Sequence, residues 1–231
     1  CHQIVVEAVH IKFISFFILF YISSGFASPE IEHWATSKGV EVYYVNSPQL
    51  PMIDIQVIFD AGSTRDGKKL GISMLSNSLL AEGADGLDAD AISNGFESLG
   101  AIYSSDVGHD TASLHLRSLT EKELLEKAIS NFKKVLSSPD FPNDAIERIR
   151  SQMLIGIKAK QQSPGALARE AFMSALYQSH PYSKPSEGTE TSIKAIKRSD
   201  IVSFYKKFYT TNNAMIAIVG AVDRETAESI A

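Results

Sequence analysis

The chain has 231 residues and a formal net charge of −5 with histidine neutral. That is long enough to bury a sizeable core, and the acidic balance argues against a nucleic-acid binder. Apolar residues make up 44% and charged residues 21%, which excludes disorder, collagen-like repeats and coiled coil as the main state. Cys1 is the only cysteine, so a disulfide framework, a cysteine-based zinc knuckle and a cysteine nucleophile are excluded from the folded part. The first residue is not Met, and a fragment or a displaced start is expected.

Residues 13–22 are apolar except for Ser15, with Lys12 before them and Gly25 and Ala27 after. Such a run is shorter than the roughly 18 residues a membrane span needs. It has the form of a secretory signal peptide, expected over 1–27. Export to the periplasm or the medium follows as an expectation, with no stable membrane anchor after cleavage.

Beyond the leader, Val40–Val45 and Ile53–Asp60 are rich in β-branched and aromatic residues, and the prolines between them signal a turn. Two antiparallel strands are predicted there. Gly62–Lys69 reads as a polar loop and Leu70–Leu80 as a helix with Ile72, Leu75 and Leu79 on its inner stripe. Asp88 or Asp90 is expected to cap a second helix running to Leu99, which Gly100 ends. Ala101–Asp106 and Thr111–Ser118 read as paired strands. Helices are expected over Glu121–Leu136 (capped by Thr120), about 143–162 (capped by Asn143), about 164–178, and from Ser199 to about Phe208. Ala214–Gly220 is a final apolar strand, and a last helix begins near Asp223. Hairpins and runs of helices make the class α+β rather than doubly wound. One domain is drawn over 28–231.

Neither H-E-x-x-H nor H-x-x-E-H occurs. His109 and His115 share strand parity but would lie about 20 Å apart on a straight strand, so a shared metal is not expected. Ser104, Ser105, Asp106, His109 and Asp110 hold the residue types of a nucleophilic triad, but turn and strand-end chemistry explains them more simply. Two oddities remain. Met74, Asn77 and Ser78 share one helix face, opposite the apolar stripe. Gly156 sits mid-helix, at a cost of about 1 kcal/mol relative to Ala.

The runs at 59–84, 96–116, 124–168, 176–196 and 204–223 together resemble the M16 peptidases, the pitrilysin, insulysin and mitochondrial processing peptidase group. The resemblance covers about 38–231. It implies a sandwich of an antiparallel-dominated sheet with helices packed on one side. The family's H-x-x-E-H aligns with Met74-Leu75-Ser76-Asn77-Ser78. Its third zinc ligand, a glutamate eight residues before a proline, aligns with Gly156. Met74, Ser78 and Gly156 would then stand in the ligand positions and Asn77 in that of the general base. The resemblance implies a non-catalytic subunit, with no cofactor of its own and zinc held only by a motif-bearing M16 partner. Together they would bind and process peptides, and a second domain of this chain is expected to be missing. It also implies a peptide-binding strand at Ala101, Ile102, Tyr103, Ser104 and Ser105. Two alternatives stay open: an active zinc endopeptidase with atypical ligands, and a purely structural interaction subunit.

Overall fold

The computed structural model describes residues 30–231. The predicted leader, 1–27, lies outside the described residues. The strands are β1 (Glu32–Ala35), β2 (Glu41–Asn46), β3 (Met52–Phe59), β4 (Gly83–Ala84), β5 (Leu87–Asp88), β6 (Ile102–Val107), β7 (Ala112–Leu119) and β8 (Ala214–Gly220). The α-helices are α1 (Ile72–Ser78), α2 (Ala89–Glu97), α3 (Lys122–Ser137), α4 (Asn143–Lys160), α5 (Pro164–Tyr177), α6 (Glu190–Ala195), α7 (Arg198–Phe208) and α8 (Arg224–Ile230).

Six strands form one sheet in the order β1-β2-β8-β3-β7-β6. All neighbours are antiparallel except β2 and β8. The expected β2–β3 hairpin is therefore corrected: β8 lies between them. The reason is visible in β8 itself. Ala-Met-Ile-Ala-Ile-Val-Gly is apolar throughout, the pattern of a central strand needing a partner on each side. The five-residue link Ser47–Pro51 easily crosses the ~10 Å between strands two apart.

Alternation assigns the faces. Val42, Tyr44, Ile53, Ile55, Val57, Phe59, Leu114, Leu116 and Ile218 point to one side and are buried under the helices. The register supports this, setting Ile55 opposite Leu116 and Val57 opposite Leu114. The other face carries the Arg117–Asp54 ion pair and the half-exposed Tyr43, Met215 and Val219. The α+β class and the antiparallel-dominated sheet hold.

Three predicted caps do not. Glu121, not Thr120, takes the cap position before α3 and makes no side-chain cap, while the Thr120 amide donates to the Pro51 carbonyl. Pro142 takes the extended cap position before α4, and Lys197 the one before α7. Asp88 and Asp223 cap α2 and α8 through their carboxylates. The sequence reading missed β1, the small β4–β5 hairpin and α6. Strand β1 is held from outside the sheet, by Arg224, which stacks on Trp34 at 3.6 Å and pairs with Glu32 at 2.7 Å.

Candidate functional site

Helix α1 lies against β6, α4 and α7. Its entry is fixed by backbone contacts that only glycine permits. Gly71 has φ +87°, and a Cβ there would meet the Glu187 carbonyl at 2.6 Å. Gly188, at φ +81°, would meet the Leu70 carbonyl at 2.4 Å. Asp66, buried in the loop before α1, accepts from the amides of Gly71 (2.6 Å) and Ser73 (3.0 Å). It satisfies amide donors that open the helix, and they favour its charged form. Burial nevertheless pushes its pKa above the ordinary carboxylate value.

These contacts bury α1 on nearly every side, which corrects the expected two-faced helix. Asn77 is only 2% exposed. Its Nδ2 donates to the Asp106 carbonyl at 2.8 Å, while Oδ1 has no partner. Met74 is half-buried and Ser78 exposed. Gly156 lies on the exposed side of α4, and a Cβ there would meet nothing within 4 Å. No close backbone approach explains this glycine. One turn further on, Lys160 pairs with Glu170 (2.9 Å) and with Glu187. Burial pushes Glu187 upward, but the hydrogen bonds and charge of Lys160, with help from Ser186, outweigh it. The net pKa lies below the ordinary value.

Zinc needs three protein ligands drawn from imidazole, thiolate or carboxylate. Positions 74, 77, 78 and 156 offer a thioether, a neutral amide oxygen, an exposed hydroxyl and no side chain. This donor set does not fit the ion. Among the described residues no group of three His, Cys, Asp or Glu gathers where a metal could sit.

The predicted peptide strand maps onto β6, with Ala101 buried just before it and Ile102 and Ser104 exposed. β6 is an edge strand, paired only with β7 among the described residues. Burial raises the Tyr103 hydroxyl to about 12, against the Phe96 and Phe132 rings. The histidines stay apart. His109 is not in a strand but in the β6–β7 turn, with Nδ1 3.2 Å from Ser63 Oγ. His115 is mid-strand in β7, 3.0 Å from the Gln56 amide. Asp110 accepts from the Tyr182 hydroxyl rather than from His109, so no triad is assembled. Sequence reasoning missed Asp66. It lies six residues before α1, where no capping pattern would flag it.

The model of the insulinase family, peptidase family M16, matches residues 41–190. The chain belongs to the M16 peptidase family. A second model, the M16 inactive domain, matches residues 195–231. Among solved structures, an M16 inactive domain from Pseudomonas fluorescens superposes with a TM-score of 0.86 at 40% identity, over 87% of this chain and 49% of that one. The periplasmic protease PqqL from Escherichia coli shares the fold, with a TM-score of 0.79 at 14% identity over 88% of this chain and 23% of that one. A Helicobacter pylori protein named non-peptidase homolog YmxG is 27% identical over 205 residues, 88% of this chain and 47% of its own. This M16 chain thus spans about half the length of the Pseudomonas fluorescens and Helicobacter pylori proteins. Among the described residues no helix is long and apolar enough to cross a membrane.

Proposed function

We propose that this chain is an exported, non-catalytic M16 subunit that pairs with a zinc-bearing M16 subunit and helps hold extended peptides for cleavage by that partner. The observation that carries the reading is the state of Asn77. A general base must take a proton from metal-bound water, and an amide locked onto the Asp106 carbonyl cannot. The helper role is supported by β6, an edge strand among the described residues, to which a peptide backbone can add through main-chain hydrogen bonds. A relative named as a non-peptidase homolog agrees with loss of catalysis.

Peptide cleavage by a motif-bearing M16 subunit, assayed with and without this chain, tests the helper role. Faster turnover or a lower KM in the mixture is the expected result. An active subunit that works equally well alone, with no complex on gel filtration, defeats the pairing.

A further inference from the structure

Helix α5 is amphipathic in the reverse sense. None of its 14 residues is buried. Ala166, Glu170, Met173 and Tyr177, which share one helix face, are the half-buried ones and turn toward the rest of the chain. Glu170 pairs there with Lys160 of α4 at 2.9 Å, and Tyr177 meets the Tyr182 ring edge-on at 5.3 Å. The opposite face carries Leu167, Ala168, Ala171, Phe172, Ala175 and Leu176, all exposed. Phe172 is 62% and Leu176 56% exposed. A surface helix ordinarily turns such residues inward, and packing among the described residues gives no account of the reversal.

Two features of this face indicate what covers it. It holds no charge: Arg169 lies at its rim and Glu170 faces inward, so two copies brought together meet no like-charge repulsion. Its order is also nearly the same from either end. Leu-Ala, Ala-Phe and Ala-Leu stand at 167–168, 171–172 and 175–176. Reversal exchanges Leu167 with Leu176, Ala168 with Ala175 and Ala171 with Phe172. An isologous contact requires a patch that matches itself in this way. Laid along a helix about 21 Å long, the face covers on the order of 500 Å² per copy. Two such faces reach the roughly 1,000 Å² of a specific interface but not the standard ~1,600 Å². That area supports a weak, concentration-dependent dimer.

We propose that the outer face of α5 docks a second copy of this chain, the two helices lying antiparallel about a two-fold axis between residues 171 and 172. Ala168 then faces Ala175 of the second copy at both ends of the contact, and their small side chains let the two helix backbones approach closely. The two Phe172 rings meet beside the axis. Leu167 and Leu176 close over its shoulders. This pairing stands apart from the peptide-holding reading, which concerns β6.

Sedimentation velocity of the purified chain from about 1 to about 100 μM tests the pairing. A monomer at the low end and a dimer at the high end is the expected result. Phe172→Glu, at an exposed position, sets two carboxylates beside the axis and should weaken association at least about tenfold with the melting midpoint unchanged. Cross-linking reads the geometry, with Cys1, the only cysteine, replaced by serine. Ala168→Cys mixed with Ala175→Cys should form an intermolecular disulfide several times faster than either variant with itself, because like positions stand about 10 Å apart along the helix. A chain that stays monomeric throughout, a dimer that survives Phe172→Glu, or equal cross-linking in all three samples would each overturn the proposal. A monomeric chain whose Phe172→Glu variant loses its association with a zinc-bearing M16 subunit would give the face to that subunit, and the second copy would be ruled out.

Discussion

Asn77 on α1 donates its side-chain amide to the Asp106 carbonyl on β6, 2.8 Å away. The bond joins a buried helix to the edge strand of the sheet. It uses a donor that a glutamate, charged at neutral pH, does not have. The residue standing where a catalytic base is expected by resemblance therefore has a structural occupation.

Removing the bond should be felt in stability. Asn77→Ala leaves the Asp106 carbonyl without this donor and opens a small void, at a cost of about 1–2 kcal/mol. Asn77→Glu sets a buried carboxylate against a carbonyl oxygen and should cost more. Urea unfolding of both variants measures the difference. A glutamate variant as stable as the parent would mean that the site still accommodates an acid.

Gly156 should be replaceable with profit. Its helix position is exposed, and an added methyl meets nothing within 4 Å. Gly156→Ala should stabilise the chain by up to about 1 kcal/mol, through helix propensity alone. A drop in midpoint on chemical denaturation would show that something does approach the α4 backbone there.

Asp66 makes a prediction in pH. Burial raises its folded-state pKa above the unfolded value, the Gly71 and Ser73 hydrogen bonds notwithstanding. The folded chain then binds this proton more tightly than the unfolded chain. Its contribution is fully present below the unfolded pKa of about 3.9 and is lost as pH rises through the folded value. The stability of the parent relative to Asp66→Asn should accordingly decline as pH rises above the unfolded pKa and level off once the folded carboxyl is ionised. Denaturation curves across that window read it directly. A relative stability that grows with pH would mean that the two amide bonds outweigh burial.

Much of the fold could be read from residue patterns. Ala214–Gly220 matches β8 to the residue, and α1, α2, α4 and α5 lie within two residues of their expected bounds. Strand order could not be read, because it depends on which long-range partner β8 finds and not on any local pattern. The Asp85-Gly86 pair, both at positive φ, is a recognised hairpin signal. Here it joins strands of only two residues, too short for alternation to show. For the site, residue identities at 74, 77, 78 and 156 were informative through resemblance. The burial of Asn77 was not, since it follows from β6, α4 and α7 closing around α1.

The central claim is that this chain alone cannot hold zinc and activate water. Equilibrium dialysis of the purified chain against micromolar zinc, with a peptide-cleavage assay on the dialysed sample, tests it most directly. The account predicts no stoichiometric tight zinc and no chelator-sensitive cleavage. One tightly held zinc per chain, with hydrolysis that a chelator abolishes, would contradict it.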